Sequence, residues 1–503
     1  MVETTTDVLV VGGGLGGVAA ALAALDAGCD VLLTEDSDWL GGQLTSQAVP
    51  PDENPWIEQF GCTERYRRLR DGIRDYYRRH YPLSEAARSA RHLNPGLGTV
   101  SSICVEPRVG VAVIEGMLAA PRSAGRLRVL LGHRPVEVGT DGDRVTSVTL
   151  ESAGGDRVTV LAPYVLDATE TGELLPLADV EHVTGAESRE QTGEPHAPEV
   201  ADPLNMQAVS WCFAVDHLEG QDHTIERPAG YERWRDLEPP AWTGRLLSFT
   251  APVPRTLEPL TRTLRPNPPD TGESVVDHRL VGGDNELWAF RRIADRRTFV
   301  PGHLASDVTL VNWPMIDYFE GPVYGEGPEE AARHLRGARD LSLSFLYWLQ
   351  TEAPRPDGGT GYPGLRLRAD LLDSADGLAK RPYIREARRI RAQYTVVEQD
   401  LALDTRPDGR AVSYPDSVGV GSYRIDLHPS TGGDSYIDVA SCPFEVPLRA
   451  LLPVRVENLL PAAKNIGTTH ITNGCYRLHP VEWNGGEAAG ALAAFCLDRA
   501  ATP

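Results

Sequence analysis

Hydrophobic and polar positions divide the chain into a few sharply patterned segments. Residues 7–11 form a nearly continuous apolar run, the pattern of a strand buried on both faces, and an Ala/Leu-rich helix follows. A second apolar strand at 31–34 ends in Glu35, so the chain opens with strand, helix, strand. Residues 128–131 and 144–150 read as short strands around a turn at 141–143. Another buried strand begins at Tyr164 and ends in Asp167, Ala168 and Thr169. The clearest amphipathic helix covers 329–350, with Leu335, Leu341, Leu343, Leu346 and Leu349 on its apolar face. Residues 423–428 alternate as a strand that Pro429 terminates. Towards the end, 458–463 reads as a strand and 485–490 opens an Ala-rich helix. Stretches rich in Pro and Gly at 192–205, 237–272 and 353–364 predict surface connections.

The junction of the first strand and helix carries Gly12, Gly14 and Gly17 in the spacing G-x-G-x-x-G. Gly12 permits the tight turn, Gly14 lets backbone amides approach a pyrophosphate, and Gly17 lets helix and strand pack closely. The helix N-terminus favours the anion through its unpaired N–H groups and dipole. Glu35, at the end of the second strand, is placed to accept hydrogen bonds from a ribose. A second G-x-G-x-x-G at 359–364 follows no apolar strand and contains Pro363, so it reads as a loop. This removes the candidate for a separate nicotinamide-binding unit.

Composition narrows the chemistry. A length of 503 residues suits two or more domains. A formal net charge of −22 disfavours nucleic acid and anionic membranes as partners. Acidic Glu3 and Asp7 replace the basic region of a signal peptide, and no apolar run reaches the roughly 20 residues of a membrane span, so a cytoplasmic protein is expected. Seven cysteines without a C-x-x-C argue against a disulfide framework or metal cluster. With no H-E-x-x-H or H-x-H spacing either, no metal site is expected. Electrons would have to travel on an organic cofactor.

Three features turn the dinucleotide towards FAD: Gly41-Gly42 soon after the fingerprint, the strand ending at Asp167-Ala168-Thr169, and the strand–loop–helix of the last sixty residues. On these residues the chain resembles the FAD-dependent oxidoreductases with a glutathione-reductase-like FAD-binding fold. Members of that family are often labelled xanthan-lyase-related and are distantly akin to fumarate reductase flavoproteins. The resemblance implies an α/β fold: a discontinuous Rossmann-like FAD-binding domain over 1–175 and 440–503, with a helical excursion at 51–100, and an inserted α+β substrate or cap domain over 176–439. It places the pyrophosphate over Gly12, Gly14, Leu15, Gly16 and Gly17 and the AMP near Glu35. It brings Gly41, Gly42 and Gln43 towards the ribityl chain or flavin, and counts Asp167, Ala168 and Thr169 in the cofactor site. Glu487 and Ala488 would present helix-terminal amides to the flavin's pyrimidine edge. Many relatives bind the ribityl chain through the Asp of a Gly-Asp pair. Here the stretch reads Ala463-Lys464-Asn465, which leaves that contact to Lys464 or Asn465. Residues 40–48 hold no histidine, so the FAD is expected to be noncovalent.

Candidate catalytic groups lie in 467–490, read as a polar and aromatic loop lining the flavin. His470 or His479 would serve as general base and Arg477 would orient a carboxylate or carbonyl. His428, at a strand end, is the third candidate base. Arg385, Arg388, Arg389 and Arg391 read as a charged helix face. Residues 64–91, with nine arginines against four acids, read as a solvated helix paired to acidic neighbours. The expected activity is oxidation of a polar small molecule, such as a carbohydrate, glycoside, hydroxy acid or amino acid. Oxygen, a quinone or a protein would accept the electrons, and a homo-oligomer is possible. A flavin monooxygenase or desaturase is the alternative, and an FAD-supported binding or RNA-modifying protein the non-redox one.

Overall fold

Five parallel strands form the central sheet of a computed structural model that describes residues 2–269 and 285–503. They are β1 (Val8–Val11), β2 (Val31–Glu35), β3 (Leu127–Leu131), β4 (Tyr164–Asp167) and β5 (Leu459–Pro461). Their order is β5-β4-β1-β2-β3, with every neighbouring pair parallel. β1 is flanked on both sides and buried throughout, which is why its sequence is apolar without alternation. Helix α1 (Leu15–Asp26) makes the crossover from β1 to β2. The arrangement is the Rossmann-like nucleotide-binding sheet, assembled from chain segments more than 400 residues apart.

The strand expected at 128–131 is β3, but it joins this sheet and not the turn at 141–143. That turn joins His133–Asp141 to Arg144–Ser152, which continue through Arg157–Leu161 and Val2–Thr5 into a separate four-stranded sheet. The arm His133–Asp141 escaped detection because register shifts at Pro135/Glu137 and Gly139/Thr140 break its alternation.

Helix α2 (Glu64–His80) starts at Thr63, whose side chain accepts from the Tyr66 amide. Its arginines are not all solvated. Arg70 and Arg74 are buried, and Glu58 bonds both while Glu53 also bonds Arg70. The middle of the chain supplies an antiparallel sheet ordered Arg292–Ala294, Val308–Val311, Phe213–His217, Leu365–Leu367. Helix α3 (Pro328–Thr351) packs in the same half, burying Leu341, Leu346 and Leu349 together with stacked Phe345 and Trp348.

The C-terminal segment departs from expectation. Residues 467–490 are not a loop: α4 (His470–Tyr476) and α5 (His479–Arg499) fill them, with Thr469 capping α4. Gly485–Gly490 lies inside α5, not at its start. The glycines there serve packing, because α5 crosses α1 too closely for side chains. A Cβ on Gly486 would sit 2.0 Å from the Gly16 carbonyl oxygen, and one on Gly490 2.2 Å from that of Ala20. Among the described residues no helix is long and apolar enough to cross a membrane.

Candidate active site

The end of β1 opens onto a cavity of about 190 Å³ lined by Gly12, Thr34, Glu35, Ala168, Thr169 and Ile384. Gly12 has φ +101°, and a Cβ there would lie 2.2 Å from the Ala168 carbonyl oxygen, so only glycine makes this turn. Glu35 accepts from the Gly13 amide (2.8 Å) and from the amide and hydroxyl of Ser37. Burial, then the neighbouring Asp36 charge, pushes its carboxyl well above the usual range. Asp167 is spent on shaping the wall, accepting from Thr169 (N and Oγ1) and the Leu174 amide, and burial raises its pKa to about 6. Asn465 is likewise spent on the chain: its amide donates to the Asp167 carbonyl and accepts from the Ala463 N–H.

Beyond the glycine turn, Gly41 and Gly42 both take positive φ, and Gly41 N–H donates to the Gly13 carbonyl at 2.7 Å. This folds residues 41–47 against the start of α1. Gln43 donates to the Arg477 carbonyl (2.9 Å) and to Glu482, while Glu482 accepts from the Gly16 amide at 3.1 Å. Lys464 is buried between Glu170 and Glu482. Glu482 belongs to the polar stretch 467–490 expected to line the flavin, but no motif links position 482 to position 16, and Glu170 carried no signal of its own. The buried atoms Gln43 Oε1 and Gln47 Nε2 have no partner. A glycine turn that admits no side chain at Gly12, an acid at the ribose position and the orphaned amide groups of Gln43 and Gln47 together fit FAD.

Ser46, Gln47 and Ile384 line the cavity, and Tyr383, next to Ile384, faces a second group of polar side chains on the other side. There Arg477 Nη1 donates to the Tyr383 hydroxyl at 2.7 Å, and Arg385 lies over the same ring. Arg385 pairs with Asp317 at 3.1 Å, and Asp317 also accepts from His428 Nδ1 at 2.5 Å. His428 Nε2 stands 3.6 Å from Asp426, which meets Arg477 at 3.4 Å. Asp317 is buried, yet Arg385 and His428 hold its carboxyl below the ordinary range. Asp426 is held low in the same way, by His428 and Arg477. His428 and Arg477 were expected; Asp317 and Asp426 were not.

The other two histidines stand apart. His479 is fully buried, with Nδ1 accepting from the Asp52 amide and Nε2 against the Val49 carbonyl, each at 3.2 Å. Burial lowers its pKa to about 3, so it is a neutral brace and not a proton acceptor. His470 Nδ1 sits 3.0 Å from both oxygens of Glu386. Burial alone would lower its pKa, but the Glu386 carboxylate outweighs this and raises it, which favours the imidazolium.

Glu487 and Ala488 do not present helix-terminal amides, because α5 begins two turns earlier at His479. Glu487 binds Arg65 and the Trp483 indole, on a surface hollow next to Asp26. The free end of α5 is Leu478–Val481, which His479 ties to residues 49–52. The arginines of 381–394 lie on extended chain, not a helix, with Arg385 and Arg389 buried. Residues 359–364 form turns bridged by Pro354 and Thr360. Glu326, Glu330 and His334 bring ligand atoms within 4.8 Å of one another, a grouping no short motif announced. Arg333 already contacts Glu330 and His334 there.

A family model described as FAD dependent oxidoreductase matches residues 7–503. No curated protein matches the chain. Among solved structures, L-proline dehydrogenase from P. horikoshii is similar at 16% identity over 37% of this chain and 24% of that one, with a TM-score of 0.19. Mycobacterium smegmatis Sdh1 in complex with UQ1 is 13% identical over 43% and 42%, with a TM-score of 0.26. The p-nitrophenol 4-monooxygenase PnpA from Pseudomonas putida DLL-E4 is 16% identical over 43% and 48%, with a TM-score of 0.25. The chain therefore spans less than half the length of each of these structures, and such slight likenesses carry no argument about substrate.

Proposed function

This chain belongs to the FAD dependent oxidoreductase family, and from that premise we propose that it oxidises a polar small molecule beside His428, which acts as the general base. When bound, FAD supplies a two-electron acceptor. Gly12, Glu35 and the segment 41–47 would hold it.

The observation that carries this reading is the Asp317–His428 pair. A carboxylate at Asp317 accepts a hydrogen bond from Nδ1–H, a pairing that holds the neutral ring in the tautomer with its lone pair on Nε2. The 3.6 Å between Nε2 and Asp426 is too long for a hydrogen bond, so Nε2 is not committed to that carboxylate. Nε2 then takes the O–H or N–H proton as the adjacent carbon loses its hydrogen with two electrons, leaving a carbonyl or imine. Arg477, tied to Asp426 and Tyr383, holds the substrate oxygen and stabilises negative charge on it. The substrate range is that of hydroxylated or amino small molecules: carbohydrates, glycosides, hydroxy acids and amino acids.

Anaerobic single-turnover reduction of the bound flavin tests this. His428→Ala should slow reduction by about 10²–10⁴-fold without loss of FAD, and Asp317→Asn should slow it in the same direction. Reduction of His428→Ala at the wild-type rate would sink the proposal. Reoxidation of the reduced protein by oxygen against a quinone divides an oxidase from a dehydrogenase.

A further inference from the structure

We infer that Lys464 is the cation that meets the cofactor's pyrophosphate, and that Glu170 covers it until the cofactor arrives, so that one buried ammonium exchanges one anion for another. The inference extends the assignment of FAD to Gly12, Glu35 and residues 41–47 and does not depend on His428.

The cavity beside Gly12 is poor in positive charge. Glu35, Asp36, Glu170 and Glu173 all line it, and the only lysine or arginine among its lining residues is Arg381. Burial lifts the carboxyls of Glu35 and Glu173 above their ordinary range. Asp36 is answered by Arg381 at 3.0 Å. That leaves Glu170 as the acid whose counter-charge lies outside the lining. Backbone amides and the dipole of α1 attract a phosphate, but a pyrophosphate brought among these acids calls for a full positive charge as well.

That charge stands directly behind Glu170. The Glu170 carboxylate accepts from Lys464 Nζ, its one hydrogen-bond partner. The Lys464 side chain has no exposed surface, whereas 25% of the Glu170 side chain is exposed. Close packing puts the lysine there. A Cβ on Gly16 would lie 1.8 Å from the Ala462 carbonyl oxygen, so the residues leaving β5 press against the start of α1 and bring Lys464 beside the glycine turn. Burial works against the ammonium, but Glu170 and Glu482 outweigh it and keep Lys464 charged.

The two acids on Lys464 are held in different ways. Glu482 is fixed and fully buried, with one oxygen on the Gly16 amide and the other on Gln43. Glu170 has no such second anchor. Its Oε1 lies 3.1 Å from the point a Cβ on Gly14 would occupy and 2.6 Å from the corresponding point on Gly42. The carboxylate therefore stands between the two glycines whose missing side chains let a pyrophosphate approach, and both anions cannot share that ground. Glu170, exposed and singly tied, is the one that moves. A buried ammonium stripped of its partner is costly, so the departure of Glu170 and the arrival of the pyrophosphate are coupled at Lys464.

Dilution of the holoprotein, read by the fluorescence of released flavin, gives the FAD dissociation constant. Glu170→Gln removes the competing anion and should tighten FAD at least about threefold. The melting temperature of its apoprotein should fall, because Lys464 loses its partner. A merely structural Glu170 would lower both affinity and stability. Glu170→Gln combined with Lys464→Gln, neutral at both positions, should bind FAD at least about tenfold more weakly than Glu170→Gln alone. The inference is overturned if Glu170→Gln binds FAD no tighter than the wild type, or if the double variant binds as tightly as Glu170→Gln. Glu35→Ala in the same assay separates the two readings. Unchanged affinity there overturns the cofactor groove itself, whereas weakened affinity at 35 with no gain at 170 overturns the exchange alone.

Discussion

Three imidazoles, equivalent in the sequence, are put to different uses by their surroundings. His428 has Nδ1 on Asp317 and Nε2 3.6 Å from Asp426, His470 pairs with Glu386, and His479 braces two backbone groups. The last of these makes a pH prediction. Unfolded His479 takes up a proton below its ordinary pKa of about 6.5, whereas in the folded chain burial delays this to about 3. The unfolded state therefore binds the extra proton across that window, and stability falls as pH drops through it, by at most about 1.4 kcal/mol per pH unit. Denaturant unfolding at about pH 4 to 7 should show a shallower acid slope for His479→Gln than for the wild type, with lower stability at neutral pH. Equal slopes would contradict the buried neutral assignment. Sequence alone could rank these residues as candidates but not separate them, because partners at 317, 386 and 49–52 decide their roles.

At the scale of elements, the crossing of α1 and α5 is the tightest joint in the nucleotide-binding half. Gly486 and Gly490 bring the two backbones into contact, and a methyl group at 490 would overlap the Ala20 carbonyl. Gly490→Ala should therefore cost about 1–3 kcal/mol or more and loosen FAD binding. Gly485 is the control in the same helix. Nothing lies within 4 Å of its Cβ position, so Gly485→Ala should gain about 0.5–1 kcal/mol from propensity alone. Thermal melts of the two variants check both signs, and a stabilised Gly490→Ala would refute the packing account. The same glycines explain the misplaced helix start. A Gly-Gly pair ahead of an alanine run resembles a helix opening, yet contact with α1 makes glycine tolerable in a helix interior. Residues 381–394 were misjudged for a related reason: arginine favours helices, but here the chain pairs with Val183 and Ser210 and buries the charges against acids.

The cavity proposed to take the cofactor draws its walls from distant parts of the chain, residues 12, 35, 47, 168 and 384. A ligand that binds only this folded arrangement must stabilise it by mass action, about 2.7 kcal/mol at a free concentration a hundred times its Kd. The melting temperature of apoprotein should climb with added FAD, and Glu35→Ala should demand more FAD for the same shift. A melting temperature indifferent to FAD would contradict the groove's assignment. What the sequence determined by itself was local: the βαβ opening, the glycine turn, the acid ending β2 and the apolar face of α3. Each follows from residues close enough along the chain for propensity, periodicity and turn geometry to act. The tertiary structure decided everything that depends on distant pairs. It set Glu482 on Gly16, Asp317 on His428 and α5 on α1. The physical reason is that electrostatics and packing act through space, and hydrophobic patterning records that a residue is buried without recording what meets it there.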